Sequence, residues 1–197
     1  MPPRAHLDKA AVVQAAADLI NTQGVQMLSL SRLAKQLGVQ TPSLYNHIAG
    51  LPGLVDDLAI LNARRLGERL EGAGIGKAGP EAVMALAQAY RAYIKEFPGL
   101  YLATMRASGS RPLPASKPTE ELRKAEERAV RVGLAVLGYF ELSGDDALHA
   151  VRGLRSLVHG FATLEVAGGF GLALDCEESF RRLVEMFIAG LQRPGFS

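Results

Sequence analysis

The sequence predicts an all-α protein: a three-helix module at the N terminus followed by a larger helical domain, about nine helices in all. Apolar residues recur at i, i+3, i+4 and i+7 between breakers, the period of a helix with one buried face. Helix starts and stops are marked locally, by Ser, Thr or Asp before a stripe and Gly or Pro after it. With 197 residues at 48% apolar and 21% charged, the chain suits one or two compact domains with a real core.

Residues 1–6 read either as a mobile arm whose Arg4 meets a phosphate or the minor groove, or as simple disorder. Asp8 caps a first helix from about Lys9 to Thr22, with Val12, Ala15, Ala16, Leu19 and Ile20 on one face and Gly24 at its end. Leu28 to Ile48 then reads as two short helices joined by a tight turn. Ser29 or Ser31 caps the first, whose inward face is Leu30, Leu33, Ala34 and Leu37. Gly38 ends it, because glycine tolerates the left-handed backbone just past a helix C-terminus, and Val39 plugs the turn. Thr41 is the expected N-cap of the second helix, and Pro42 fits its first position, where a missing N–H costs nothing. Leu44 and Ile48 face inward, which leaves Gln40, Thr41, Ser43, Tyr45, Asn46 and His47 on a helix of about two turns. That much hydrogen-bonding capacity on so short a helix suits a recognition helix, which lays its N-terminal residues on base edges in the major groove.

The segment 51–72 restarts a helix with Pro52 near its first turn and Leu54, Leu58, Leu61 and Ala63 to Leu66 on its apolar face. Residues 72–80, GAGIGKAGP, are the first boundary and read as a flexible joint. As a phosphate-binding loop they fail: Glu71 stands at the first glycine position, Ala78 at the hydroxyl position, and no strand precedes them. The expected organisation is therefore 1–50, a connecting helix at 51–72, and a helical domain at 73–197.

In that domain Pro80 opens a helix to about Phe97, with Val83, Ala87, Tyr90, Ile94 and Phe97 in register. Pro98 breaks it and starts a short helix, followed by an exposed, mobile loop, SGSRPLPASKP. A helix from about Thr119 to Tyr139 turns Leu122, Ala125, Ala129, Val132, Val136 and Phe140 inward. Ser143 with Asp146, and Asp175 with Glu178, form capping boxes for the last two helices, the earlier one spanning roughly Gly144 to Ala167. The final apolar stripe is wide, so in a lone chain it would leave a large exposed patch. The last two helices are accordingly expected to pair with their copies in a homodimer, through Val151, Leu154, Arg155, Val158, Phe180, Leu183, Val184, Phe187, Ile188 and Leu191. His149, Arg152, Arg155 and Ser156 would supply the polar rim.

Charge and composition narrow the function. The net charge is +2, and it all lies in residues 1–50, where Arg4, Lys9, Arg32 and Lys35 face only Asp8 and Asp18. That is a thin footprint for phosphates, which a dimer would double. The single cysteine, Cys176, excludes an internal disulfide and suits a reducing cytoplasm. No secretory leader or membrane span is read, so the expected location is cytoplasmic. His149 and His159 would stand about 15 Å apart along one helix, too far for joint ligation, so no metal is expected. No catalytic constellation appears either, so neither an enzyme nor a cofactor is expected.

LGVQTPSLYNHI, following an amphipathic helix that ends in Gly24, resembles the recognition segment of the TetR family of transcriptional regulators over roughly residues 6–70. A shorter stretch, HGFATLEVAGGFGLALDCEESFRRLV, is similar to the C-terminal domain of relatives named for a Trp-His-Gly motif, with Val158 in place of the Trp before His159 and Gly160. The resemblance implies a helix-turn-helix repressor on a double-stranded DNA operator, contacted through Ser29, Ser31, Arg32, Gln40, Thr41, Pro42, Ser43, Tyr45, Asn46 and His47. It also implies a second domain that encloses a small, largely apolar effector. Candidate lining residues are Leu61, Tyr90, Tyr93, Phe97, Tyr101, Met105, His159 and Phe161. The chain departs from the family's type protein at Ser31, where that protein has a base-reading Arg, and at Asn46, where it has an aromatic residue. Leu51, Pro52 and Gly53 stand where relatives often place a phosphate-contacting Lys, so the operator sequence does not transfer. The rival reading is a small helical enzyme or ligand-binding protein without DNA function, and the sign of regulation is open.

Overall fold

The computed structural model describes residues 7–105 and 119–192. Among them are nine α-helices and no strand: α1 Lys9–Gln23, α2 Leu30–Leu37, α3 Thr41–Leu44, α4 Gly50–Gly74, α5 Gly79–Glu96, α6 Pro98–Thr104, α7 Glu120–Leu137, α8 Gly144–Val166 and α9 Cys176–Leu191. Short 3-10 turns follow α1 and α7. The expected arm at 1–6 and loop at 108–118 lie outside the described residues. The chain forms two compact units, the described parts of Met1–Asn62 with Gly99–Arg123, and of Ala63–Pro98 with Lys124–Ser197. Half of α4 thus belongs to each unit. Helix α6 follows the glycine-rich segment in sequence, yet it belongs with the N-terminal helices. Helix α4 runs through Gly74, which leaves only residues 75–78 as a joint.

The first unit is built on the buried stripe of α1, where Val12, Ala16, Leu19 and Ile20 join Leu33 and Ala34 of α2, Leu44 of α3, and Leu54, Val55 and Leu58 of α4. Asp8 caps α1 by accepting from the Ala11 N–H at 2.7 Å. Helix α6 comes so close to α1 that only glycine fits: a Cβ on Gly99 would stand 2.1 Å from the Ile20 carbonyl oxygen. One residue on, the Leu100 N–H donates to Asn21 Oδ1 at 2.8 Å, so the last turn of α1 caps the first turn of α6.

In the second unit α5 packs on both α8 and α9, which pack on each other. Val83, Leu86, Ala87, Tyr93 and Ile94 of α5 are buried, as are Ala147, Ala150, Leu154, Val158 and Ala162 of α8 and Phe180, Val184, Ile188 and Leu191 of α9. This corrects the expected dimer face. Leu154, Val158, Phe180, Val184, Ile188 and Leu191 are buried inside the protomer and serve its own core. Periodicity identifies an apolar face but not what covers it, and here α5 does. Of the expected interface residues, Val151, Leu183 and Phe187 remain half-buried and Arg155 exposed, and Met186 beside them is 65% exposed.

Two smaller corrections concern α7 and the capping boxes. In α7 the buried positions are Leu122, Ala125, Gly133 and Leu137, while Ala129, Val132, Val136 and Phe140 are half-buried. The stripe shifts because the bare Cα of Gly133 admits Val151, whose Cγ2 lies 3.2 Å from where a Cβ would stand. Ser143 is the N-cap residue of α8 but its side chain makes no capping bond. Asp175 does cap α9, accepting from the Glu177 N–H at 2.9 Å. The Glu178 carboxylate, however, turns to Arg181 and Arg182 at 2.7 Å each, two cations that outcompete one backbone N–H.

Candidate nucleic-acid interface

Ser29, on extended backbone, caps α2 by accepting the Arg32 N–H at 3.3 Å, and its hydroxyl also lies 3.2 Å from that of Ser31. Helix α2 stops at Gly38, whose φ of 66° and ψ of 30° are the left-handed conformation a glycine adopts without cost. The Val39 N–H then returns to the Ala34 carbonyl at 3.0 Å, closing the turn.

Helix α3 begins one residue earlier than its cap chemistry suggests. Gln40, not Thr41, is the N-cap, because the Ser43 N–H reaches back to the Gln40 carbonyl at 2.9 Å and draws Thr41 into the first turn. The α-helix is four residues long, Thr41–Leu44. The coil then tightens: Tyr45, Asn46 and His47 donate to Pro42, Ser43 and Leu44 at 3.2, 3.4 and 2.9 Å, all i to i−3 bonds. Leu44, fully buried, and Ile48, 5% exposed, anchor the segment.

What this anchoring turns outward is a polar edge. Among the described residues, the side chains of Gln40, Thr41, Ser43, Tyr45, Asn46 and His47 have no hydrogen-bond partner. The contrast with neighbouring polar groups is sharp. Gln14 donates to Asp18, Thr22 to the Asp18 carbonyl, Gln36 to the Ala15 carbonyl, and Asn21 caps α6. Tyr45 is 60% exposed, whereas Tyr90, Tyr93 and Tyr101 are buried. Of the cations, Arg32 is exposed and donates to Gln23 Oε1 at 3.2 Å, Lys35 is exposed in the last turn of α2, and Lys9 is held by Asp57 at 2.6 Å. Arg4 lies outside the described residues.

Two short helices joined at a left-handed glycine, the second carrying an unpartnered polar edge, make a helix-turn-helix. The Tetracyclin repressor-like, C-terminal domain family matches residues 83–187. A Bacillus subtilis (strain 168) protein, the uncharacterized HTH-type transcriptional regulator YobS, is 35% identical over 191 residues, covering 97% of this chain and 96% of the relative. This chain belongs to the TetR family of transcriptional regulators. Its fold matches the structure of a protein of unknown function from Rhodococcus sp. RHA1, with a TM-score of 0.80 at 22% identity over 98% of both chains. It also matches a single-residue variant of TetR from Acinetobacter baumannii AYE in complex with minocycline, with a TM-score of 0.69 at 23% identity over 95% of this chain and 97% of that one.

In this TetR-family regulator the candidate effector residues divide between the two units. Leu61, Tyr101 and Met105 belong to the first, Tyr101 buried and the other two half-buried. Tyr90, Tyr93, Phe97, His159 and Phe161 belong to the second. Tyr93 is buried and tilts against Phe97 with ring centroids 5.2 Å apart. From α4, Arg69 lies over Tyr93 at 5.7 Å and Arg65 over Phe97 at 5.5 Å, while Arg69 also pairs with Glu96 at 2.6 Å. Burial pushes the Tyr93 phenol well above its usual range, so it stays a neutral hydroxyl. His159 is half-buried and held below the usual imidazole range by that burial and by Arg155. Phe161 belongs to another cluster, its ring tilted against Phe170 at 4.7 Å and Phe180 at 5.1 Å between centroids.

That cluster surrounds a residue that no pattern in the sequence singles out. Arg91 of α5, 5% exposed, lies over Phe180 at 4.8 Å and Phe161 at 5.5 Å. It donates to both Glu165 oxygens, at 2.7 and 2.8 Å, and to Glu177 at 2.5 Å, and Lys95 adds a bond to Glu165 at 2.6 Å. Arg128 likewise ties α7 to α4 through Glu71 and Glu68. Such pairs join residues 57 to 86 positions apart and leave no periodic trace in the chain. Among the described residues, no group of three or more His, Cys, Asp or Glu is placed to hold a metal ion, and no helix is long and apolar enough to cross a membrane.

Proposed function

We propose that this TetR-family regulator is a cytoplasmic repressor that binds a near-palindromic DNA operator as a homodimer and leaves it on binding a small, largely apolar effector. The observation that carries the reading is the polar edge from Gln40 to His47, whose polar side chains have no hydrogen-bond partner among the described residues. In the free protein water meets these groups, and base edges and phosphates would offer them fixed, directional partners. Two recognition segments, one per chain, would enter successive major grooves about one helical turn, roughly 34 Å, apart.

The dimer seam is proposed on the outward face of α8 and α9. Leu183, Met186 and Phe187 follow i, i+3, i+4 spacing, and Val151 with Arg155 lies on α8. Of the expected effector residues, Tyr90, Tyr93, Phe97 and His159, all of the second unit, are the ones proposed to line an effector site. The pairing of arginines with the Tyr93 and Phe97 rings supports a ligand with an apolar body and one polar end. An effector acts here only through its differential affinity for the DNA-competent state.

The test is a gel-shift titration of the protein against the intergenic DNA beside its own gene, over a range of salt. Wild type should retard one fragment, and Tyr45→Ala should bind it more weakly while light scattering reports an unchanged assembly. Equal affinity for the two proteins at every salt concentration would refute the placement of the reading edge.

A further inference from the structure

The recognition segment presents its residues unequally. Leu44 and Ile48 are buried, Thr41, Ser43 and His47 half-buried, and Pro42, Tyr45 and Asn46 exposed. The last three form the exposed ridge of the segment. Proline offers no side-chain hydrogen bond, and tyrosine offers a single hydroxyl at the far end of a ring. Asn46 alone on the ridge carries a donor and an acceptor side by side on one planar group. Its backbone N–H is turned inward to the Ser43 carbonyl at 3.4 Å, while its side-chain amide has no hydrogen-bond partner among the described residues. The stem is short, so the amide is carried by the backbone turn with little freedom of its own.

In the major groove adenine presents the N7 acceptor beside the N6 amino donor, the pattern that a planar amide meets with two parallel bonds. We propose that Asn46 reads an adenine in each half-site of the operator, Nδ2 donating to N7 and Oδ1 accepting from the N6 amino group. This rests on the reading of residues 41–48 as the DNA-facing segment. Gln40 carries the same amide but on a longer stem, at the non-helical N-cap position (φ −82°, ψ 144°), off the ridge. Its held-apart position makes it the internal comparison.

The experiment selects duplexes from a random library with the full-length wild-type protein, then titrates the selected site with wild type, Asn46→Ala, Asn46→Gln and Gln40→Ala. Each half-site should contain one adenine whose replacement by 7-deazaadenine, which lacks N7 and so removes one of the two bonds, weakens wild type and Gln40→Ala by roughly 5-fold or more, the lower end of the span for a bidentate pair. Asn46→Ala, with an unchanged thermal melt, should be indifferent to that replacement, and Asn46→Gln should retain part of the preference. A wild type that selects a clear motif with no such adenine, or a preference that survives in Asn46→Ala and disappears in Gln40→Ala, overturns the assignment and leaves the regulator reading intact. Failure of wild type to select any motif overturns both.

Discussion

Leu100, in the first turn of α6, donates its N–H to the Asn21 side chain in the last turn of α1 at 2.8 Å. Beside it, the Gly99 Cα faces the Ile20 carbonyl with no room for a methyl group. Helix α6 is therefore seated on the DNA-reading unit by a capping bond and a backbone contact together. Asn21→Ala should cost about 1 kcal/mol, the ordinary worth of a lost cap. Gly99→Ala should cost more, about 1–3 kcal/mol, because the new Cβ meets backbone rather than a side chain that can swing aside. Urea melts of the two variants check the order, and a Gly99→Ala protein as stable as wild type would contradict the close approach.

Arg91 holds the second unit together in a way that acid should reveal. Its guanidinium, first among the causes, keeps the Glu165 carboxyl below its usual range, with Lys95 helping and burial opposing. A carboxyl whose pKa is depressed on folding contributes its full stability above the unfolded value, near 4.5, and loses it as pH falls through the folded value. Stability should thus decline below about pH 4.5. In Arg91→Met the acid-side decline should shrink, and at neutral pH the variant should lose about 3 kcal/mol, the lower end for breaking a buried pair, because Lys95 still neutralises Glu165. Denaturant melts across the pH range measure both effects.

How much of this was legible from the chain depends on the range of the interaction. The caps at Asp8, Ser29 and Asp175, the left-handed turn at Gly38 and the inward Leu44 and Ile48 are local events, and their residue types announce them. The shift of the α3 cap from Thr41 to Gln40 is a difference of one residue, decided by which carbonyl the Ser43 N–H finds. Residues joined across long separations were not legible: nothing in a stripe says that Phe180 and Val184 are covered by α5 rather than by another chain, or that Asn21 would cap a helix 79 positions away.

The same distinction gives a test of the proposed dimer seam. Met186 is 65% exposed, so Met186→Glu should leave the fold and melting temperature nearly unchanged while shifting the protein to monomer in light scattering. Leu154 is 7% exposed and packed inside its own unit, so Leu154→Glu should unfold that unit instead. A dimer that tolerates Met186→Glu would move the seam elsewhere.

The cations of the first unit predict a salt dependence that separates free charge from engaged charge. Each phosphate contact steepens the fall of log K with log salt, and removing one contact lessens the slope by about 1. Arg32 is exposed at the start of α2 beside the reading segment, and its guanidinium donates to a neutral Gln23 amide, with no carboxylate partner among the described residues. Lys9 is paired with the Asp57 carboxylate at 2.6 Å, so its charge is already answered inside the protein. Arg32→Ala should therefore lower the slope by about 1 for each protomer, whereas Lys9→Ala should leave it unchanged. Binding isotherms at four or more salt concentrations measure both. An equal fall for Lys9→Ala would mean that the ion pair opens when DNA binds.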